Sequence, residues 1–426
     1  VSASLSITAS VASPELFELP WELPLENWPD DTVAALPKGI SRHIVRFIHM
    51  GSHIVAVKET TEALAVREYD MLHKLNRLDV PCVEPVAIVS GRLDRDGREL
   101  PTALVTRHLR FSLPYRALYS QTLRPDTATR LADALAVLLV RLHIVGFFWG
   151  DVSLSNTLFR RDAGAFAAYL VDAETGELMP GSLSTGQREN DLEIARVNVA
   201  GELMDLQAGG RLDEGIDPVA VANSILESYR SLWNELTGWE SFDQSERWRI
   251  QQRVQRLNEL GFDIENLAIT SDTGGSTLKI QPKVVDAGHH TRRLMRLTGI
   301  DAGENQARRL LNDLDSYRAV HYPDEDADEE MVAHEWLSEV YDEVIRAIPK
   351  EYRGKLEAPE MFHQWLEHRA KRSQEEGRKV SREESLRSYV DDVLRHRRDE
   401  AMVTGPPTEA FTMPNPTIEL NWRDRI

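Results

Sequence analysis

Residues 147–159 read FFWGDVSLSNTLF, which sets a carboxylate, Asp151, and an amide, Asn156, five positions apart between apolar flanks. Sixteen residues after Asn156 the apolar run AYLVDAE closes on Asp172, with Glu174 two positions beyond it. Upstream, IVAVKE carries Lys58, and Glu68 follows ten residues later in VREYDML. Phosphoryl transfer asks for such a set, because its catalysis is mostly positioning and charge neutralisation. One carboxylate accepts or orients the nucleophile's proton. An amide oxygen and a second carboxylate hold a divalent cation against the nucleotide phosphates. A lysine grips those phosphates, and a glutamate holds the lysine. Each residue alone has a plainer reading. Lys58 could be a solvated strand-end lysine, Glu68 a helix-surface acid with Glu62 as its rival, and Asp151 and Asn156 a turn held by Asx hydrogen bonds. The ordered set of five favours the catalytic reading.

The surrounding pattern supplies elements to carry them. HIVRFIHMGSHIVAVKE is two β-branched runs about Met50-Gly51-Ser52, a hairpin signal that puts Lys58 on a strand. TEALAVREYDMLHKLNRL has apolar residues at helical spacing, which places Glu68 on a helix. VEPVAIVSG and ELPTALVTRHL read as two further strands. Residues 124–148, RPDTATRLADALAVLLVRLHIVGFF, have a proline near the start and a long apolar face, and read as a buried helix leading into the Asp151 loop. LPWELPLENWPDD is Pro-punctuated and reads as irregular, and residues 1–13 are either loose or an edge strand. After residue 236 the periodicity is mostly helical, broken by one hairpin with Gly274-Gly275 at its turn. The tail after residue 404 is Pro-rich and reads as extended or disordered.

Composition narrows the class. With 426 residues, the chain fits two or three domains. A net charge of −19 repels phosphate backbones, which argues against nucleic acid as a partner. The single cysteine, Cys82, excludes an intramolecular disulfide and fits a reducing compartment. No apolar run approaches the roughly 18 residues of a membrane span, and the start lacks the pattern of a signal peptide. A cytoplasmic protein is expected. The histidines offer no second site: HEWLS at 334 is not the HExxH of a metalloprotease. Arginines in HHTRRLMRL and ENQARRLL read as salt-bridged helix faces, with a pocket for an anionic acceptor as the alternative.

Taken together, LH…GFFWGDVSLSNTLF…YLVDAE resembles the kinase-like superfamily, particularly its lipopolysaccharide-kinase-like branch. AVKE…REYDMLHKL, LVTRHLRFSLPYR, KVVDAGHHTRRLMRLTGIDAGENQARRLLNDLDSYRA and FHQWLEHR are similar to an actinobacterial family that joins such a domain to a C-terminal domain of unknown function. The resemblance covers roughly residues 20–400. It implies ATP and Mg²⁺ as cofactors, Asp151 as catalytic base, Asn156 and Asp172 as metal ligands, Lys58 as the phosphate-gripping lysine and Glu68 as its partner. Glu174 falls where relatives can carry a second acid, so it joins the metal set. Thr106, Arg107 and His108 fall in the linker between lobes, where backbone groups would meet adenine. Asp191 falls where an acid holds the catalytic loop's backbone.

Three departures stand out. No GxGxxG lies between the first strands, and Lys38-Gly39-Ile40-Ser41-Arg42 is the nearest phosphate cradle, through N–H groups around Gly39 and Ser41. DAE replaces DFG. Trp149 stands where relatives place His or Arg, and the sequence gives no reason for it.

The expected architecture is α+β: a two-lobed protein-kinase-like fold followed by a mainly helical C-terminal domain. Its divisions are an N-terminal extension (1–19), N-lobe (20–110), C-lobe (111–235), helical domain with one hairpin (236–403) and tail (404–426). The expected activity is ATP/Mg-dependent phosphoryl transfer to a hydroxyl, that of a small molecule, sugar or glycolipid. The alternatives are a pseudokinase scaffold that binds a protein partner through its C-terminal domain, and nucleotidyl transfer on the same fold.

Overall fold

The computed structural model describes residues 5–10, 13–29, 44–51, 53–119, 125–243, 246, 248–271, 277–323, 327–397 and 399–400. The phosphate-cradle positions Gly39 and Ser41, the 274–275 turn and the Pro-rich tail lie outside these residues.

The first lobe is built from β1 (Ser6–Ala9), β2 (Val45–Met50), β3 (His53–Thr60), helix α1 (Glu62–Arg77), β4 (Pro85–Ser90) and β5 (Thr102–Arg107). The strands form one antiparallel sheet in the order β1-β4-β5-β3-β2. Residues 6–9 are thus an edge strand. Along β3, Val55 and Val57 are buried while Ala56 and Lys58 alternate with them on the opposite face. The stretch read as irregular does more than connect. Together with the 3₁₀ turn Pro14–Glu18 just before it and its own 3₁₀ turn Leu25–Asn27, it buries Leu16, Trp21, Leu25 and Trp28 against Val55, Val57 and Val86. Arg92, fully buried, fastens this segment. It donates to Glu59 at 2.8 Å and to the carbonyls of Trp21, Leu23 and Pro101. Trp21, Leu25 and Trp28 have helical spacing, but Pro20, Pro24 and Pro29 bar a regular helix, so periodicity alone could not reveal this packing.

The second lobe begins with β6 (Leu113–Pro114) and α2 (Tyr115–Leu118), then the long α3 (Pro125–Ile144) and β7 (Phe147–Phe148). Next come β8 (Thr157–Asp162), β9 (Ala165–Leu170), β10 (Glu177–Leu178), α4 (Thr185–Ala208) and α5 (Pro218–Thr237). β8 and β9 form a hairpin whose turn, Ala163-Gly164, has positive φ at both residues (51° and 81°). This core runs from Met71 and Leu75 of α1 through α3, α4 and α5 to Leu257 and Phe262. It therefore includes α6 (Trp248–Glu259) and the sheet of β11 (Glu240–Asp243), β12 (Phe262–Ser271) and β13 (Thr277–Ala287). β11 was not evident in the sequence, being four residues with a single buried position.

A separate core spans Leu294 to Leu394. It gathers α7 (His289–Thr298), α8 (Glu304–His321), α9 (Glu329–Trp336), α10 (Asp342–Ala347), α11 (Ala358–Glu376) and α12 (Arg382–Asp392). A π-helical stretch, Leu337–Tyr341, joins α9 to α10. The arginine-rich faces are ion-paired, Arg293 with Asp315 and Glu329 and Arg296 with Glu329. Among the described residues no helix is long and apolar enough to cross a membrane.

Cys82 is buried beneath α1 and accepts from the Asn76 amide at 3.4 Å. Burial pushes its thiol up to about 12, so little thiolate exists at pH 8. Iodoacetamide at pH 8 is expected to label the denatured chain and spare the native one. Labelling of both at similar rates would contradict the buried placement.

Candidate active site

β3 and α1 present Lys58 and Glu68 to each other across 2.9 Å. Glu68 is the buried acid of α1, at 2% exposure, whereas the rival Glu62 is exposed. Thr61 caps the helix through the Leu64 N–H and so fixes where its turns begin. The Lys58 ammonium also reaches Asp172 at 2.8 Å and Glu174 at 3.0 Å. Glu68, Asp172 and Glu174 can each offer an oxygen within 4.8 Å of the others.

Among the described residues, three carboxylates face the Lys58 ammonium. Burial is the largest single influence on Lys58 and lowers its pKa, but Glu68 and Asp172 together outweigh it and raise the group above its ordinary value. Burial pushes Glu68 up to about 8, reinforced by the negative charge of Asp172 and opposed by Lys58. Such an oxygen-rich cluster suits a hard divalent cation.

The Asp151 loop is held from behind by one face of α4. Asp191, fully buried, accepts from the N–H groups of Trp149 and Gly150, both at 2.7 Å, and from His143 Nε2 at 3.2 Å. His143 contacts the Tyr229 hydroxyl at 2.7 Å through its other ring nitrogen. Burial lowers its pKa by more than Asp191 raises it, so the ring is neutral at pH 7. Asn198 donates to the Val152 carbonyl at 3.0 Å. Glu202 accepts from the N–H of Leu154 at 2.7 Å, the N–H of Ser155 at 3.0 Å and the Ser155 hydroxyl. Positions 191, 198 and 202 share a helix face, so one rigid element fixes the loop at three points. The sequence reading reached Asp191 and missed Asn198 and Glu202, although their spacing on a single helix carried the signal.

In front of the loop, Asn156 Nδ2 donates to Asp151 at both its carbonyl (3.1 Å) and its carboxylate (2.9 Å). Gly150 has φ of 76°, and a side chain there would crowd the Phe148 ring at 3.2 Å. Trp149 now has an explanation. Its buried indole N–H donates to the Asp172 carbonyl at 2.9 Å, and its own carbonyl accepts from Thr175. It ties the Asp151 loop to the Asp172 segment, as does the Val171 N–H bond to the Asn156 carbonyl at 3.0 Å. Lys58, Glu68, Asp151, Asn156, Asp172 and Glu174 are therefore linked by two groups of direct contacts and these two ties.

Residues 48–194 match the model of the lipopolysaccharide kinase (Kdo/WaaP) family, and residues 231–394 match a domain of unknown function, DUF4032. The chain thus carries a segment similar to the lipopolysaccharide kinase family ahead of a segment similar to DUF4032. That family supports a kinase-like phosphotransferase. A solved structure, WaaP in complex with acyl carrier protein, is similar at 15% identity and a TM-score of 0.35. The likeness covers 60% of this chain and 99% of that one, and is too weak to add to the fold described above. No curated protein matches the chain.

Within the kinase-family segment, the linker residues stand apart from the charged cluster. Thr106 lies in β5, paired with Ala56 and Pro85. The N–H groups of Arg107 and His108 donate to the carbonyls of Glu84 (2.8 Å) and Ile54 (2.9 Å). The Arg107 side chain pairs with Glu84 at 3.0 Å. Burial pushes the His108 ring, packed on Phe47, down to about 4. These two N–H donors are thus engaged within the protein.

Proposed function

We infer that the chain is an ATP- and Mg²⁺-dependent phosphotransferase acting on a hydroxyl acceptor, of a sugar or glycolipid. The observation that carries this is the joint contact of Lys58 with Glu68, Asp172 and Glu174, tied by Trp149 to the Asp151–Asn156 loop. Lys58 would hold nucleotide phosphates, with Glu68 fixing its ammonium. Asn156, Asp172 and Glu174 would hold the metal, which when bound supplies positive charge against the phosphate oxygens. Asp151 would receive the acceptor hydroxyl and take or orient its proton. Asn156 steadies the Asp151 carboxylate by donating to it, and Asp191 with α4 keeps the loop backbone in register. The segment around Thr106, Arg107 and His108 would flank the adenine, and Gly39 and Ser41 would approach the phosphates. An ATP requirement together with the buried thiol of Cys82 supports a cytoplasmic site of action.

The test is an ATP-consumption screen against hydroxyl acceptors, with Asp151→Ala and Asp172→Ala beside the unaltered chain. Turnover is expected only in the unaltered chain. Equal rates in all three would sink the reading and favour a scaffold.

A further inference from the structure

The tip of the β8–β9 hairpin is not free. The Asp162 carboxylate, 3% exposed, accepts from the first turn of α8: Gln306 N at 2.8 Å, Asn305 N at 3.1 Å and Asn305 Nδ2 at 3.1 Å. It thereby satisfies N–H groups that a helix start leaves open, across the seam between the two cores. Gln306, fully buried, donates from Nε2 to the Arg161 carbonyl and to Glu360 Oε2, both at 2.9 Å. Glu360, near the start of α11, also accepts the N–H of Ala163 at the hairpin turn, at 3.0 Å. Arg161 reaches Glu400 at 2.9 Å. The fit at Gly303 is close: a Cβ there would lie 2.4 Å from Asp162 Oδ1.

The other end of this hairpin is the candidate active site. β8 begins directly after Asn156, and Asp172 follows two residues after β9 ends. Six residues of strand, about 20 Å, separate the seam from these two groups. A hydrogen-bonded hairpin transmits a displacement of its tip to its base better than a loop does, because its ladder resists shear.

We propose that the DUF4032 region sets the position of Asn156 and Asp172 by latching the β8–β9 hairpin, with Asp162, Gln306 and Glu360 as positioning residues. None of the three touches the reacting groups. They act through the hairpin, so an event in the helical region is felt at the active site by this route. What the positioned groups do rests on the phosphotransfer reading; the mechanical link does not.

The test is amide hydrogen exchange on the full chain without nucleotide. Asp162→Ala opens the latch, and Gly303→Ala drives the carboxylate out of it by crowding. Each is expected to lower protection of the Val171 amide, which bonds Asn156, by about tenfold or more, while amides of β4 and β5 keep theirs. The double variant is expected to be no worse than Asp162→Ala, because the crowded group is gone. Where wild-type turnover is measurable, both variants lower kcat/KM, and Asp162→Glu restores part of it. If Asp162→Ala does not fold, Glu360→Gln, of equal volume, is read the same way. Loss of protection at Ala163 and Gln306 with Val171 unchanged would overturn the proposal and leave an ordinary interface. Absence of turnover in the unaltered chain would overturn the phosphotransfer reading alone.

Discussion

Lys58→Met is expected to lower kcat on the order of 10²–10³-fold. The methionine approximates the length of the side chain but removes the ammonium that contacts Glu68, Asp172 and Glu174. Two consequences follow. The nucleotide loses the ammonium that would sit against its phosphates. The three carboxylates also lose the positive charge that draws them together, and Glu68, already pushed up to about 8 by burial, stays neutral at pH 7. Asp172 and Glu174, which would hold the metal, are then less ordered. Initial rates at saturating Mg-ATP, with a melting curve to show that the variant is folded, check this. A folded variant retaining more than a tenth of the wild-type rate would remove Lys58 from the machinery.

Asp191→Ala has the largest expected effect on stability, about 3 kcal/mol. Its carboxylate is fully buried and accepts two backbone N–H groups at 2.7 Å, plus the His143 ring. Alanine leaves those donors without an acceptor in the core, and each such orphan costs about 1–3 kcal/mol. Loss of the buried carboxylate's own desolvation cost offsets part of this. The loop that carries Asp151 is also released at Trp149 and Gly150, so the folded fraction should turn over more slowly. Asp191→Asn keeps the shape but turns an N–H toward donors, and should fall between the two. Urea unfolding measures the difference. A change below about 0.5 kcal/mol, the usual range for a surface substitution, would mean that Asp191 does not hold the loop.

The sequence disclosed this site unevenly, for physical reasons. Lys58, Glu68, Asp151, Asn156 and Asp172 were legible because their types, order and element assignments agree with one chemistry, and the chain brings them into the contacts described. The α+β class and the helices after 288 were legible from hydrophobic periodicity, and the edge strand at residues 6–9 is one of the two readings that residues 1–13 allowed. The role of Trp149 was not, because a single indole N–H acting on a carbonyl 23 residues later leaves no pattern along the chain. The same holds for Asp162. In sequence it is an acid at a hairpin turn, and only folding brings α8 and α11 to it, 143 and 197 residues away from the turn's Asp162 and Ala163. The Trp21–Trp28 segment escaped for a different reason: its buried residues have helical spacing, but Pro20, Pro24 and Pro29 bar a regular helix, and tertiary packing decides its conformation. The engaged N–H groups of Arg107 and His108 likewise depend on partners in β3 and beside β4 that local sequence does not announce.

The central claim is that the γ-phosphoryl group of ATP is passed to a hydroxyl held at Asp151. Its most direct test supplies the chain with Mg²⁺, a hydroxyl acceptor found in the screen and ATP labelled either at the γ- or at the α-phosphorus. The account predicts that γ-label appears on the acceptor, that α-label does not, and that Asp151→Ala and Asp172→Ala transfer neither. Transfer of α-label would contradict it and identify nucleotidyl transfer instead.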